Sequence, residues 1–439
     1  MLSIILDKAN AFWLLKVLSA CHYFGTILST LASIVSFISL SRDQRDASNR
    51  NKERASPVTV HDAVPESQCI GTPEQNYWHK TAGRVLDLFM QRAGYPQNDH
   101  SHIMSFFAES IVPFLGPSDE PDFKRWKSFM TDDHTPIELS WDWRGPTDND
   151  KPIIRFSVEP VGLTAGTPAD PMNTSGPESF KHMLIQDFPK LDMSWFNHFD
   201  SFFNQHTAEA NPEESHQSRI FWGFDLCEAQ ITTKAYFFPG RLAGKMGTTN
   251  LGVIAKSLAR TPHCTPDKLQ AFHKLASFSD SHGIADALEF DMLAIDMVDP
   301  RKSRLKLYFR NRRTTFSSVR SVITLKGQRS GAHLEKGLSN LKQLWISLFD
   351  LSDASEDVEL PCNEHRTAGI LYNAEFRLGS SYPDVKIYIP ARHYSSSDQH
   401  VLDKIGDFID NQKKAVHPFR GSASGRMGLA YVKAMKSIL

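Results

Sequence analysis

The 439-residue chain is poor in cysteine: five (Cys21, Cys69, Cys227, Cys264, Cys362) lie scattered, and no CxxC pair occurs. That excludes a disulfide framework and a zinc module and makes a reducing compartment the default. Cys362-x-x-His365 and His263-Cys264 lack the second pair that a zinc site needs. The chain also lacks a surplus of either charge, with 49 Lys+Arg against 50 Asp+Glu. A general nucleic-acid binder carries a basic surplus, so no nucleic-acid partner is expected. None of the 18 histidines stands in a recognisable catalytic spacing. What is there is globular: 41% hydrophobic and 23% charged residues, in a chain long enough for one large core or two to three domains.

The N-terminus stands apart. Val17 to Leu40 is an uncharged apolar run of 24 residues, long enough for a helix to span a bilayer and too long for a signal-peptide core. Arg42, Arg45, Arg50, Lys52 and Arg54 follow it, which favours a cytoplasmic body behind a single-pass anchor. Five serines, two threonines and His22 weaken that reading, and a mis-assigned start or an unremoved intron is the alternative. The expected division is an apolar segment at 1–40, a polar linker at 41–70 and a folded body at 71–439. Asn173-Thr174-Ser175 is a glycosylation sequon, without consequence in a cytoplasmic body.

The body repeats one pattern, an amphipathic helix followed by two strands. Helical stretches over about 78–114, 178–206, from Thr265-Pro266, and through Leu334, Leu338, Leu341, Trp345 and Leu348 each precede a hairpin. The hairpins are PIELSWDW with IIRFSVEP, IFWGFDL with TTKAYFFPG, FDMLAIDMV with RLKLYFR, and GILYNAEFRL with VKIYIP. A fifth helix holds Leu402, Ile405, Phe408 and Ile409, and a glycine-rich strand pair is expected near Tyr431. Arg155 to Lys234 is 79 residues, Lys234 to Lys306 is 72 and Lys306 to Lys386 is 80, a repeat that signals architecture. The expected fold is α+β: ten antiparallel strands in a closed barrel with helices outside, in five helix–strand–strand units. Two α+β domains or an open sheet are the alternatives.

Side chains alternate along a strand, so each return strand has two unlike faces. Arg304, Lys306 and Tyr308 share one face; Lys386 and Tyr388 share another, as do Lys234 and Tyr236. Arg155, Ser157 and Glu159 align on one strand, Glu138 and Ser140 on its partner. For one strand alone, a wet cationic face is the ordinary reading. The recurrence of cation-x-Tyr at matching places argues for a lumen instead. Converging Lys and Arg suit a diphosphate, and tyrosine rings offer π-faces to an organic cation. Together they suit an allylic cation and its departing anion, shielded from water.

These residues resemble the fungal aromatic prenyltransferases of the dimethylallyltryptophan synthase type. The resemblance runs from about Tyr77 to the C-terminus, on YWHKTAGRVLDLFMQRAGY, PFLGP, PIELSWDW, RFSVEP, KAYFFPG, SRLKLYF and VKIYIP. It implies the ABBA barrel and transfer of a prenyl group, most often dimethylallyl from its diphosphate, to an aromatic acceptor, usually an indole. It implies that Glu138 accepts the indole N–H. Arg155, Lys234, Arg304, Lys306 and Lys386 then hold the diphosphate, and Tyr236, Tyr308, Tyr388 and Tyr431 shield the cation. Lys234 is also a candidate for taking the proton lost at ring carbon. The family often places a base for an amino-acid carboxylate where this chain reads Glu289-Phe290-Asp291. That departure favours an uncharged, larger acceptor such as a polycyclic indole alkaloid or an indole diterpene, with tryptophan, a cyclic dipeptide or a phenol as alternatives. The closing segment and the N-terminal apolar run also depart from the family.

No DDxxD-like cluster occurs: Asp132-Asp133 runs into His134-Thr135-Pro136, and Asp148-Asn149-Asp150 sits in a turn. Magnesium prefers such carboxylates, so metal-independent turnover without a cofactor is expected. A barrel carrying an isoprenoid diphosphate without turnover is the competing reading. Glu138 argues against it, since a carboxylate repels an anionic cargo.

Overall fold

The computed structural model describes residues 2–6, 13–19, 33–37, 73–117, 126–142, 152–204, 216–227, 230–281, 288–352, 355–416 and 435. Its strands are β1 (Leu2–Leu6), β2 (Trp13–Ser19), β3 (Ser33–Phe37), β4 (Ile137–Asp142), β5 (Ile153–Val158), β6 (Ile220–Cys227), β7 (Gln230–Phe237), β8 (Glu289–Asp296), β9 (Leu305–Asn311), β10 (Ile370–Phe376) and β11 (Asp384–Ile389). From β4 to β11 each strand pairs antiparallel with the next, in sequence order.

Helices precede each hairpin. Before β4 come α1 (Pro73–Trp78), α2 (Arg84–Ala93) and α3 (Gln97–Phe106); before β6, α4 (Ser175–Asp187) and α5 (Ser194–Phe203). Before β8 come α6 (Gly240–Met246), α7 (Asn250–Leu258) and α8 (Gln270–Asp280); before β10, α9 (Phe316–Thr324) and α10 (Ala332–Leu348). After β11 follow α11 (Ala391–Tyr394) and α12 (Asp398–Val416). Four of the five expected units are therefore seen, with the helix of the fifth; its strand pair near Tyr431 lies outside the described residues. Helices α6, α7 and α9 were not anticipated. Their segments are short and glycine- or serine-rich, and the local signal is capping: the Thr249 and Thr315 hydroxyls accept from Gly252 N and Ser318 N.

The core lies between the helices and the outer face of the sheet. Ile137, Leu139 and Trp141 of β4, Ile154, Phe156 and Val158 of β5, and Trp222, Phe224 and Leu226 of β6 are buried there. They meet the apolar stripes of α2 and α5, as the alternation requires: Phe89 packs edge-on to Trp141. Phe156 packs edge-on against Phe107, and Trp222 stacks on Phe196. Each such aromatic contributes about 2–3 kcal/mol by leaving water. The Tyr95 hydroxyl receives Ile154 N at 2.9 Å and donates to Leu226 O, tying the end of α2 across β5 and β6. Asn173 of the sequon is buried, its amide bonded to Gly162 N and Pro160 O at 3.0 and 2.8 Å.

Among the described residues the expected membrane-spanning helix is not found. Within Val17–Leu40 the described pieces are strand: the end of β2, and β3. Strand β2 pairs with β4, β3 with β11, and β1 with both β2 and β11, so three N-terminal strands join the two ends of the body's sheet. The Ser- and β-branched-rich composition that weakens a spanning helix suits an extended strand. Among the described residues, no helix is long and apolar enough to cross a membrane.

Gly369 opens β10 at φ +82°, where a Cβ would stand 2.7 Å from the Asn311 carbonyl oxygen. Gly369→Ala is expected to cost about 1–3 kcal/mol, from a left-handed φ plus a backbone clash, read as a lowered thermal midpoint.

Candidate active site

The inner face of the sheet carries the polar residues. Four strands leading into the hairpin turns each bring an acid near their far end: Asp142 on β4, Asp225 on β6, Asp296 on β8 and Glu375 on β10. The return strands bring the cations. Arg155 lies between Asp142 (2.5 Å) and Asp225 (2.8 Å), and Lys234 also donates to Asp225. Arg304, just ahead of β9, meets Asp296 at 2.6 Å and Glu375 at 3.4 Å. Lys306 reaches Asp296 at 2.5 Å, and Lys386 donates to Glu375. All five predicted cations thus converge in one belt of alternating charge. Register builds it: Arg155 faces Asp225, Lys234 faces Asp296 and Lys306 faces Glu375 across neighbouring strands.

The acids escaped the sequence reading, although a signal was present. Trp141-Asp142-Trp143, Phe224-Asp225-Leu226, Ile295-Asp296-Met297 and Ala374-Glu375-Phe376 are one apolar–acid–apolar triplet recurring in step with the cations. Burial pushes Asp296 and Glu375 up, but their basic neighbours win and hold both well below the carboxylate range. Burial dominates for the lysines, lowering Lys306 to about 7 and Lys386 to about 8. Lys234 is lowered by the same cause.

Tyrosines stand beside the belt, toward the opposite end of the strands. The rings of Tyr236 and Tyr308 are 5.8 Å apart and those of Tyr308 and Tyr388 5.7 Å, with a 3.5 Å contact between the last two hydroxyls. Gly223 makes room: a Cβ there would sit 3.1 Å from the Tyr236 ring. Burial raises all three phenols, so they remain protonated donors. Glu138 lies on the inner face of β4 opposite Ser157, and its charge acts on Tyr388 of β11. The first and last body strands therefore turn their inner faces toward each other. Tyr431 lies outside the described residues.

Three other charged groups near the site have no role assigned from the sequence. Glu159, raised by burial to about 7, is held by Trp126 Nε1 at 3.0 Å and the Ser218 hydroxyl at 2.7 Å, a buried tie beneath the loop ahead of β4. Arg310 extends the stripe Arg304, Lys306, Tyr308, and Asp291 is the extra residue of a β-bulge between Phe290 and Met292.

Among the described residues, one group offers metal-ligand atoms within 4.8 Å of one another: Asp132, His365 and His393. Their centre is filled by the Thr367 hydroxyl, bonded to Asp132 at 3.0 Å, His365 at 2.9 Å and His393 at 2.7 Å. Arg392 already pairs with Asp132 at 3.0 Å, and Cys362 is not among the three. The group sits at the rim, at the strand ends opposite Glu375 and Lys386.

The inner face of the curled sheet thus sets a belt of paired cations at one end and three neighbouring tyrosines beside it. The family profile described as tryptophan dimethylallyltransferase matches residues 74–418, and the chain belongs to that family. It is 32% identical to the 4-O-dimethylallyl-L-tyrosine synthase of Claviceps purpurea, over 76% of this chain and 75% of the relative. It is 31% identical to the 7-dimethylallyltryptophan synthase hasE of Aspergillus fumigatus, over 80% and 78%. The crystal structure of NotF in complex with brevianamide F and DMSPP superposes with a TM-score of 0.70 at 23% identity, covering 85% of this chain and 88% of that one. This last likeness concerns the fold.

The belt yields a prediction. At pH 8 Lys306 is mostly neutral in the free protein, and a bound polyanion favours its charged form. Binding inorganic diphosphate is therefore expected to take up protons, and to weaken as pH rises from about 7 to 9. Calorimetry in buffers of different ionisation enthalpy measures the uptake, and Lys306→Met should reduce it.

Proposed function

We propose that the protein transfers a dimethylallyl group from dimethylallyl diphosphate to an aromatic ring, as a metal-independent prenyltransferase. The family membership carries the reaction class. The observation that supports the chemistry is the pairing of a buried cation belt with a file of tyrosines on one inner face. Arg155, Lys234, Arg304, Lys306 and Lys386 receive the diphosphate. As the C–O bond breaks, the belt stabilises the growing charge on oxygen, and Tyr236, Tyr308 and Tyr388 offer π-faces to the allyl cation. Tyr431 is proposed as a fourth member of the same shield.

The acceptor ring attacks C1 of the cation. Glu138 accepts the hydrogen bond of an indole N–H, raising the ring's electron density. The proton displaced from the ring passes to a base, for which Lys234 is suited because burial favours its neutral form. The products are prenylated acceptor, diphosphate and one proton. Five cations do the neutralising that magnesium does elsewhere, so no metal is required. The two relatives named above prenylate tyrosine and tryptophan by their names, an oxygen and an indole ring. An indole is the ring that Glu138 suits.

The test is incubation of the full chain with dimethylallyl diphosphate, EDTA and a panel of indoles and phenols, followed by mass spectrometry. Gain of one C5H8 in the presence of EDTA is expected; product only on adding magnesium would overturn metal independence. Glu138→Gln should lower kcat on indoles by about 10²–10⁴-fold while diphosphate binding is retained. Unchanged turnover would remove Glu138 from the mechanism.

A further inference from the structure

Asn373 of β10 is 1% exposed, and among the described residues neither its Nδ2 nor its Oδ1 meets a hydrogen-bond partner. A buried amide left in that state is costly and calls for an explanation. Alternation puts it on the inner face, between Leu371 and Glu375. Its neighbours across β9 and β11 are Tyr308 and Lys386, and the polar end of each is engaged elsewhere. The Tyr308 hydroxyl meets that of Tyr388 at 3.5 Å, and the Lys386 ammonium donates to Glu375.

The other hairpins show what is unusual here. Each sets one residue directly opposite its cation: Ser140 faces Arg155, Gly223 faces Lys234, Ala294 faces Lys306 and Asn373 faces Lys386. Each stands two residues before the acid that its strand gives to the belt. Serine, glycine and alanine are short and keep that level of the inner face open, whereas Asn373 extends an amide into it. On one side the next inner residue is Glu375 of the belt; on the other, Leu371 packs with Tyr308 and Tyr388. Asn373 therefore marks the level at which charge gives way to tyrosine. One inner-face step is about 7 Å, so a diphosphate in the belt and a dimethylallyl group among the tyrosines put the bond between them at this level.

Resting on the reaction proposed above, we infer that Asn373 is a further catalytic residue, whose Nδ2 donates to the oxygen that leaves C1 as the allyl cation forms. In the intact ester that oxygen joins carbon to phosphorus and is a poor acceptor. When the C–O bond breaks, both bonding electrons stay on it, and it becomes a charged terminal oxygen of the diphosphate. The hydrogen bond thus strengthens as the bond breaks, which is the differential binding that lowers a barrier. An amide suits the place because it donates without titrating, beside lysines that burial brings toward neutrality.

The test is Asn373→Leu in the full chain, which keeps the branched shape and removes both polar atoms. The thermal midpoint should hold or rise, because an unpartnered buried amide is lost. The single-turnover rate at saturating dimethylallyl diphosphate and acceptor should fall about tenfold to a hundredfold, and the Kd of inorganic diphosphate should rise by a similar factor. The concentration of dimethylallyl diphosphate giving half the maximal rate should change less than about threefold, because the unbroken ester makes little use of the donor. Asn373→Asp, isosteric but without the donor, should slow the single-turnover rate at least as much. An unchanged rate and diphosphate affinity in Asn373→Leu, or a lowered midpoint with donor and acceptor weakened together, would overturn the assignment and leave the prenyltransferase reading intact. No product from any acceptor with the unmodified chain would overturn both.

Discussion

Buried positive charge is the constraint on which the rest depends. Five cations on one inner face cannot leave water without counter-charges, and the sheet supplies these on neighbouring strands. The contacts are cross-strand, so they exist only in one register. A slip by one residue would turn every lysine into the hydrophobic layer under the helices and every buried tryptophan into the lumen. Folding and the charge belt thus require the same register, and the helices that cover the outer face enforce it from behind.

The belt is nearly self-neutral, which shapes how it handles an anion. Each carboxylate fixes the geometry of one or two cations and is itself satisfied, so the cations are preorganised. The lysines absorb the cost, because burial leaves Lys306 and Lys386 near the midpoint of titration. The arginines, always charged, keep the site attractive while it is empty. Beside the belt, tyrosine serves where phenylalanine would not: its ring faces a cation, and its raised pKa keeps the hydroxyl a donor.

Much of this was legible in the sequence because it rests on period-two alternation repeated about every 75 residues. All eight body strands fall where the hairpins were read, and the five cations and three described tyrosines share a face as alternation demands. What was missed has physical causes. The acids sit inside apolar triplets, where one charged residue looks incidental until four copies are aligned. Helices α6, α7 and α9 are held by capping and packing and show little long-range periodicity. The apolar run at 17–40 met the length criterion for a membrane helix, but length and hydropathy do not register which backbone edges need a partner; β2 and β3 pair with β4 and β11. Asp291 owes its position to a bulge, a break in the alternation that made the rest readable.

That bulge divides one hairpin into two stretches of different register. Below it, β8 and β9 keep register from Met292 through Ala294 to Ile295, opposite Tyr308, Lys306 and Leu305. Above it, pairing resumes with Phe290 opposite Phe309 and Glu289 opposite Arg310, one residue out of step with the stretch below. Glu289 and Arg312 close the rim with each other, and Arg310 a short way inside bonds to the Thr367 and Ala368 carbonyls. The end that carries the charge belt is fixed by regular pairing, with Arg155, Lys234 and Lys306 each set opposite an acid of the neighbouring strand. The opposite end is where the sheet becomes irregular, and there the charged residues meet one another at the rim and not across a strict ladder.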